Sequence, residues 1–354
     1  MKNVEKYLSI LNDEVDGLLL TSRYGRMYGA EFDIAEGVAI VTKAGCRYFT
    51  DSRYIESAQN NISGFQVLEM NRANPYSQLL NQAIAYFGVH TLGYEETYLT
   101  VSELMAFEEK LNAKLVPYNE KIYSFRSIKE EWELARMRKA QEITDRAFAE
   151  MLEKIKPGLT EKQLQAELVY SLLKNGADGM AFEPIVISGP NTSMPHGVPG
   201  DRVVQAGDFI TMDFGALYQG YCADMTRTVA VGYATEEMKK VYNTVLQAQE
   251  AAIAATKSGM TGKEIDSVAR QIIQDAGYGS YFGHGYGHCL GMEVHEAPNC
   301  NPGGKVVMES GMVSSAEPGI YLPGKFGVRI EDVVIFTPDG CENITKSRKD
   351  LIII

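Results

Sequence analysis

The sequence predicts an α+β protein of two domains, a smaller α/β domain followed by a larger domain that contains one structural unit twice. The 354 residues exceed the usual size of a single domain. Strand-like and helix-like segments alternate in the N-terminal third, whereas the remainder carries an internal repeat. We place the boundary near residue 125, which divides the chain into residues 1–124 and 125–354.

The alternation in the first domain is carried by short apolar runs and one clear helical pattern. The runs GLLLTS, GVAIVT and RYFT have the length and composition of strands, and YSQLLNQAIAYF at 76–87 has the periodicity of a helix. This order is typical of an α/β layer. Residues 128–158 then predict a long helix with acidic residues early and basic residues late, which ends before Pro157-Gly158.

The repeat begins in the larger domain, where GLTEKQLQAELVYSLLKNGADG at 158–179 aligns with GMTGKEIDSVARQIIQDAGYG at 259–279. Both segments open with a capping box, Thr160 with Gln163 and Thr261 with Glu264. A long helix is predicted before each, at 129–155 and at about 236–257. Capping boxes are common, so this match alone also fits two unrelated helical hairpins.

Chemically important residues recur in the same order in both copies, which favours duplication over coincidence. The glycine-bounded segments GDFITMDFG and GMVSSAEPG at 207–215 and 311–319 each carry a carboxylate at the seventh place. Three pairs recur at similar spacings: His196 and His295 are 99 residues apart, Asp213 and Glu317 are 104 apart, and Asp224 and Glu331 are 107 apart. Small insertions after an ancient duplication explain why the spacing increases from pair to pair.

The repeated carboxylates predict a site for two metal ions. Side chains alternate along an extended strand, so Phe209 and Thr211 share a face with Asp213, and Val313 and Ser315 share one with Glu317. A pseudo-two-fold axis between the copies would bring Asp213 near Glu317 and Asp224 near Glu331. Four carboxylates gathered in an apolar environment repel one another and need positive charge among them. Two divalent cations about 3.5 to 4 Å apart, bridged by carboxylates, meet that need.

The histidines support this interpretation, because four of the five lie in the repeat region and only His90 lies elsewhere. In GHGYGH, His284 and His288 are four residues apart, the spacing of a helical zinc motif. Three glycines in six residues disfavour a helix, so we interpret the segment as a glycine-rich turn.

Each residue also has an ordinary interpretation when it is considered alone. Asp213 is typical of a turn or strand edge, Glu331 beside Asp332 is typical of a solvated charge pair, and His196 and His295 are compatible with core histidines. Similarly, Arg227 and Arg329 are compatible with surface or ion-pairing residues. Their joint occurrence in matched repeats favours a site.

Composition narrows the class of protein and its compartment. The 34 basic and 46 acidic residues give a net charge of −12, which argues against a nucleic-acid or anionic-membrane surface. Five cysteines without CxxC spacing indicate neither a disulfide framework nor a structural zinc site, so we expect a reducing cytoplasm. The N-terminus lacks the apolar stretch of a secretory signal, and no window has the roughly 20 apolar residues of a membrane span.

Residues 125–354 resemble the pita-bread metallopeptidases, the group that contains methionine aminopeptidase, aminopeptidase P and prolidase. The matching segments are FEPIVISGPNTSMPHG, MDFGALYQGYCADMTRT, GHGYGHCLGMEVHEAP, GMVSSAEPGIY and GVRIED. The N-terminal region, including RYFTDSRYIESA, resembles the additional domain of aminopeptidase P, prolidase and creatinase, which methionine aminopeptidase lacks. The resemblance implies a duplicated pita-bread domain after a creatinase-like α/β domain.

The resemblance also implies a role for each site residue. Its metal ligands fall on Asp213, Asp224, His288, Glu317 and Glu331, with Asp224 and Glu331 bridging the ions. Glu317 also shuttles protons, His196 and His295 bind the substrate or tetrahedral intermediate, and His284 and Arg329 have a pocket role. The counterpart of His288 in the first copy is Gly189, so the two metal sites should be unequal.

The implied reaction is hydrolysis of the Xaa-Pro bond at the N-terminus of a peptide by a hydroxide that bridges the metals. Xaa-Pro aminopeptidase and Xaa-Pro dipeptidase both remain open, and the alternatives are a creatinase-like hydrolase without metal or a non-catalytic binding module. Oxygen-rich ligation favours manganese, with cobalt, iron or zinc possible. Homodimerisation is implied as well. The chain departs from the family pattern at Tyr286, Cys289 and Ser314-Ser315, which leaves specificity and metal preference open.

Overall fold

The computed structural model describes residues 3–354, which divide into two compact units, one that ends at Arg126 and one that spans Ser127–Ile354. The first unit is an α/β layer and the second contains the repeat. Among the described residues, no helix combines the length and the apolar character needed to cross a membrane.

The first unit contains one mixed six-stranded sheet with helices around it. Its helices are α1 (Asn3–Ser9), α2 (Arg23–Ala30), α3 (Ile55–Asn61), α4 (Tyr76–Phe87), α5 (Val101–Lys110) and α6 (Asn119–Ser127). Its strands are β1 (Gly17–Leu20), β2 (Val38–Thr42), β3 (Gly45–Asp51), β4 (Gln66–Met70), β5 (Thr91–Tyr94) and β6 (Lys114–Pro117). The spatial order is β4-β3-β2-β1-β5-β6. Helix α4 coincides with the predicted helix, and the three apolar runs lie on β1, β2 and β3.

The second unit contains four helices and several small sheets. Its helices are α7 (Glu131–Leu152), α8 (Glu161–Lys174), α9 (Glu236–Ala255) and α10 (Gly262–Asp275). Its strands are β7 (Gly179–Met180), β8 (Ile185–Ser188), β9 (Phe209–Phe214), β10 (Ala216–Tyr218), β11 (Tyr221–Cys222), β12 (Met225–Ala230), β13 (Gly287–Cys289), β14 (Glu296–Cys300), β15 (Val313–Ala316), β16 (Gly319–Leu322), β17 (Phe326–Arg329), β18 (Asp332–Phe336) and β19 (Cys341–Asn343).

The predicted repeat of helices is confirmed. Both capping boxes form at the starts of α8 and α10, where the threonine hydroxyl accepts from the backbone N–H of the third helical residue. Isolated bridges join Thr160 to Val203 and Thr261 to Val307, so the same contact recurs in each copy. Helix α7 ends at Leu152, earlier than predicted, because the chain turns there and buries Ile155 in the core.

Each copy forms its own apolar core. Helices α7 and α8 pack on β8, β9 and β12 in the first copy, and their buried contacts include Phe148, Leu168 and Met212. Helices α9 and α10 pack around Val245, Ile273 and other buried side chains in the second copy. Two separate cores with matching helices are what a duplicated unit predicts.

Strand pairing explains why the carboxylates of each copy are neighbours. Strands β9 and β12 run antiparallel with Asp213 opposite Thr226, so the end of β9 lies beside the start of β12, where Asp224 precedes the strand. Strands β15 and β18 run antiparallel with Ala316 opposite Asp332. Adjacent strands of an antiparallel pair meet end to start, so Glu317 and Glu331 also lie at one edge.

Glu317 differs from the prediction in one respect. We expected it within an extended strand, but β15 ends at Ala316 and Glu317 lies just beyond it. Pro318 follows and has no backbone N–H to continue the ladder. The carboxylate of Glu317 is thus carried on the two-residue connection between β15 and β16.

Gly215 should be among the most sensitive glycines, because a Cβ there would lie 1.8 Å from the carbonyl oxygen of Ala223. We expect Gly215→Ala to lower the free energy of unfolding by about 3 kcal/mol. The new Cβ is fixed to the backbone of residue 215 and meets the backbone of Ala223, so the two backbone segments must move apart. Gly179→Ala is the matched control, as its Cβ would meet no heavy atom within 4 Å. Urea denaturation measures both, and equal midpoints for the two variants would contradict the prediction.

Candidate active site

The predicted site residues line one cavity of ≈ 470 Å³ in the second unit. These are the five predicted ligands and four further predicted residues: Asp213, Asp224, His288, Glu317, Glu331, His196, His284, His295 and Arg329. His90 does not join them, because it lies in the first unit with its side chain 87% exposed beside Asp16. The two copies of the repeat therefore contribute to a single concave surface.

Three of these side chains form the tightest cluster. Asp224, His288 and Glu331 each offer a ligand atom, and the three atoms lie within 4.8 Å of one another. His288 Nε2 is also 3.3 Å from Glu317 Oε1 and 3.6 Å from Asp224 Oδ2. Asp224 and Glu331 are almost completely buried, at 3% and 2% exposure.

Burial shapes the electrostatics of this cluster. It raises the pKa of Asp224 well above its usual range, and the negative charge of Asp213 adds to the effect. Burial likewise raises the pKa of Glu331, with a further contribution from Asp224. These carboxyl groups thus favour their neutral forms unless positive charge lies beside them.

Glu317 and His288 form the opposite case, a mutually stabilising ion pair. Burial would raise the pKa of Glu317, but the hydrogen bond and charge of His288 outweigh it and lower this pKa to about 2. Burial would lower the pKa of His288, whereas the hydrogen bond and charge of Glu317 raise it to about 9. The His288 imidazolium and the Arg329 guanidinium supply two positive charges beside four carboxylates, so ionisation of all four requires additional positive charge.

Unsatisfied oxygens support a fit to metal ions. Asp213 Oδ1 and Asp224 Oδ1 are buried and have no hydrogen-bond partner among the described residues. Buried polar atoms are nearly always satisfied, so such oxygens are well suited to a cation. Four carboxylates and one imidazole are also the donor types that hard and borderline divalent ions accept. The residues present therefore fit the metal pair that the sequence predicts.

Hydrogen bonds between the copies orient two of the carboxylates. Arg329 Nη2, from the second copy, donates to Asp213 Oδ2 of the first at 2.6 Å. Thr226 Oγ1, from the first copy, donates to Glu331 Oε2 of the second at 2.6 Å. Each copy thus holds a carboxylate of the other, an exchange that spacing alone did not reveal.

Ser315 and the backbone orient two further predicted ligands, Glu317 and His288. Ser315 Oγ donates to Glu317 Oε1 at 3.1 Å and accepts from the backbone N–H of His288 at 3.0 Å. His288 Nδ1 lies 3.2 Å from the carbonyl oxygen of Cys289, which can only accept. Nδ1 is therefore the donor in this contact, and Nε2 faces the carboxylates.

Arg227 supports the site from behind. Its guanidinium is 1% exposed, binds Asp332 Oδ1 at 2.7 Å, and donates to the carbonyl oxygens of Glu331, Ser347 and Arg348. Arg329 is buried as well and forms an ion pair with Asp213. Neither arginine is therefore a surface residue. Both fix the backbone or side chain of a predicted ligand.

Tyr321 is a cavity residue that the sequence did not reveal. Its hydroxyl accepts from Arg329 Nη1 at 2.9 Å and lies 2.9 Å from His284 Nε2. His284 Nδ1 contacts the carbonyl oxygen of Gly285 at 2.8 Å and is the donor there, so Nε2 accepts from Tyr321. Burial lowers the pKa of His284, which agrees with a neutral ring. The only signal for Tyr321 in the sequence is its position on a short apolar run close after Glu317.

His196 and His295 present their rings to the cavity without a hydrogen bond to any residue in the described part of the chain. The ring of His295 packs edge to face on that of His288, with centroids 4.3 Å apart. Burial, and then the charge of His288, lower the pKa of His295. A neutral imidazole retains one N–H, so this ring can donate to a bound molecule.

The glycine-rich segment forms no helix, as expected: it is irregular up to Tyr286, and Gly287 and His288 then lie on strand β13. Gly287 allows β13 to approach β15 closely, since a Cβ there would lie 2.1 Å from the carbonyl oxygen of Ser315. Tyr286 and Cys289 beside it are buried and do not line the cavity, and neither does Ser314. Each of these three nevertheless contacts a predicted ligand: Ser314 Oγ donates to the carbonyl oxygen of His288, the carbonyl oxygen of Tyr286 accepts from the backbone N–H of Glu317, and that of Cys289 lies beside His288 Nδ1. Ser315 differs from them because its side chain binds the carboxylate of a predicted ligand.

Comparison with known proteins identifies the family. The model described as metallopeptidase family M24 matches residues 135–338, and that of the creatinase/prolidase N-terminal domain matches residues 4–128. The chain belongs to metallopeptidase family M24. The predicted pita-bread fold with a creatinase-like N-terminal domain is thereby confirmed, and so is its classification as a metallopeptidase.

Relatives of this M24 protein match it along nearly its whole length. The Xaa-Pro dipeptidase of Pyrococcus horikoshii is 35% identical over 357 residues, which cover 99% of each chain. The structure of an Xaa-Pro dipeptidase from Bacillus anthracis has a TM-score of 0.96 and 40% identity, and the match covers 100% of this chain and 99% of the other. That of X-Pro aminopeptidase from Thermotoga maritima has a TM-score of 0.94 and 35% identity, with 100% of both covered.

Proposed function

We propose that this M24 protein is a dinuclear-metal-dependent peptidase that releases the N-terminal residue from peptides with proline in second place. The main support is that five potential ligands line one cavity and that two of their carboxylate oxygens are unsatisfied; the five are Asp213, Asp224, His288, Glu317 and Glu331. Relatives named Xaa-Pro dipeptidase and X-Pro aminopeptidase support the substrate class.

Asp224 and Glu331 are the proposed bridging ligands. Asp213 would help to hold one ion, and His288 with Glu317 would help to hold the other. The unequal sets agree with the duplication, because Gly189 occupies the place of His288 in the first copy. We propose manganese, with cobalt, iron and zinc as the alternatives, since oxygen donors outnumber the single imidazole.

The remaining groups suit hydrolysis of an amide. When bound, the two ions lower the pKa of a water molecule and polarise a carbonyl group. Glu317 would accept a proton from the attacking water and pass it to the leaving nitrogen. His196 and His295 donate N–H groups to the substrate oxygen, where preorganised donors are most effective in the transition state.

Recognition of proline must rely on shape, because its amide nitrogen carries no hydrogen to donate. Phe182, Ile185 and Val294 give the cavity an apolar lining beside the carboxylates. The Tyr321, His284 and Arg329 network forms its polar wall. The proposal covers dipeptides and longer peptides, and the relatives carry names of both types.

The experiment begins with the metal content of the purified protein, measured by plasma mass spectrometry before and after addition of manganese. We expect about two ions per chain. Turnover is then measured on an Xaa-Pro dipeptide and an Xaa-Pro-Yaa tripeptide, with Xaa-Ala peptides of the same length as controls. A protein that binds no metal, or that is inert on both proline substrates after reconstitution, would overturn the proposal.

We further propose a cytoplasmic homodimer that binds neither nucleic acid nor membranes. All five cysteines are free in the structure, which agrees with a reducing compartment. The net charge of −12 opposes association with phosphate backbones and anionic lipids. Light scattering at the assay concentration tests the oligomeric state, and a monomer would contradict this part.

A further inference from the structure

A buried ion pair lies next to His295 in the chain and has no role in the proposed metal centre. Lys129 Nζ is 3.0 Å from Glu296 Oε2, and the two side chains are only 1% and 7% exposed. Lys129 precedes helix α7, and Glu296 opens strand β14 directly after His295. The pair thus joins the start of the second unit to the segment that carries a cavity histidine.

The same carboxylate closes the loop that leads to His295. Glu296 Oε1 accepts from the backbone N–H groups of Met292 at 3.1 Å and Glu293 at 3.3 Å. One glutamate therefore holds both the loop and, through its second oxygen, Lys129. A charged acceptor makes such hydrogen bonds stronger than neutral ones.

The loop is also attached to the segment that carries Asp224. The backbone N–H of Cys222 donates to the carbonyl oxygen of Gly291 at 2.7 Å, and Cys222 Sγ donates to that of Met292 at 3.5 Å. The ring of His295 has no hydrogen bond to another described residue, and its one ring contact is with His288. Its position therefore depends on the backbone on either side of it.

We propose that the Lys129–Glu296 ion pair is a positioning device that fixes the His295 ring in the cavity for catalysis. The inference deepens the proposed function and rests on it for the role of His295. Neither Lys129 nor Glu296 lines the cavity, so the pair would act through His295. A buried ion pair is costly to desolvate, and it adds little stability compared with apolar residues in the same place. Stability therefore does not explain why the pair is there, whereas a positioning role does.

Gly291 offers a way to disturb the pair without changing a charge. A Cβ at Gly291 would lie 2.8 Å from Lys129 Cε and 2.9 Å from Glu296 Oε2, and these atoms are the ends of flexible side chains. The backbone of Gly291 is not in the left-handed region, so alanine adds steric pressure on the pair and no backbone strain. Gly291→Ala is therefore a second variant, independent of Lys129→Met.

The test measures the position of His295 and the rate of the reaction separately. Histidine is labelled with 13C at Cε1 in zinc-loaded protein, and the His295 signal is assigned by its loss in His295→Ala. With only five histidines in the chain, the spectrum is simple. We expect both Lys129→Met and Gly291→Ala to shift or broaden the His295 signal and to leave that of His90 in place.

Turnover is measured in a double-mutant cycle with His295→Ala. We expect Lys129→Met to lower kcat about tenfold in the wild-type background and less than about twofold in His295→Ala, since coupled residues are not additive. Lys174→Met is the control, because it breaks an exposed pair with Glu150 and should change neither the signal nor kcat.

Equal loss of kcat in both backgrounds, or an unmoved His295 signal in both variants, would overturn the positioning role. If Lys129→Met does not fold, Gly291→Ala decides by the same criteria. Wild-type protein that is inert on Xaa-Pro peptides would instead overturn the proposed function. The histidine spectra would still show whether the ion pair fixes the ring.

Discussion

Replacing Asp224 by asparagine should remove both metal ions and abolish measurable turnover. Asp224 is the proposed bridge, and it lies in the tightest cluster of ligand atoms with His288 and Glu331. Loss of several kcal/mol of transition-state stabilisation corresponds to about 1,000-fold in rate or more. Metal content and kcat on an Xaa-Pro peptide measure the two effects.

The stability of the metal-free variant separates this result from misfolding. Asparagine matches aspartate in shape and removes a charge from a site where burial opposes charge. The metal-free variant should therefore melt no lower than the metal-free wild type. Asp208→Asn is the control, because Asp208 is also buried but pairs with Arg202 at the opposite end of β9 from Asp213. It should lose stability and still bind two ions, and two ions in Asp224→Asn would refute the bridging role.

Replacing Glu317 by glutamine should lower kcat about 1,000-fold, within the range for loss of a general acid–base group. The amide cannot accept a proton, and it is a weaker ligand beside His288. We expect one ion per chain to bind much more weakly while the other remains. Rapid-quench kinetics measure the chemical step, and metal titration measures the occupancy.

Glu264→Gln provides the control for this substitution. Glu264 forms the capping box of α10, and the matching position in α8 is already Gln163, so the change preserves the cap. Its kcat and metal content should equal those of wild type. Wild-type kcat in Glu317→Gln with two ions bound would exclude proton transfer by Glu317.

Local patterns in the sequence predicted much of the fold. The capping residues Thr160 and Thr261 mark helix starts whatever the tertiary context, and the repeat related Asp213 to Glu317 before any geometry was known. The structure places all nine predicted site residues around one cavity, while their roles as ligands and catalytic groups stay predictions. Duplication made this possible, because it supplied an internal comparison within one chain.

Contacts between distant residues were beyond reach of the same reasoning. Lys129 and Glu296 are separated by 167 residues, and neither has a counterpart in the other copy that would attract attention. Tyr321 was overlooked because a tyrosine on a short strand is usually a packing residue, and only its contacts with Arg329 and His284 distinguish it. The end of β15 before Pro318 also required the actual pairing with β18.

The exchange of contacts between the copies constrains how the protein can be synthesised. Asp213 depends on Arg329, Glu331 depends on Thr226, and the backbone at Glu331 is held by Arg227, which also binds the carbonyls of Ser347 and Arg348. When only the first copy of a nascent chain has emerged from the ribosome, Asp213 therefore lacks its hydrogen bond from Arg329. These supporting contacts are complete only after residue 348 has emerged, so a chain terminated prematurely just beyond Glu331 would carry every proposed ligand and lack the contacts of Arg227 with Ser347 and Arg348.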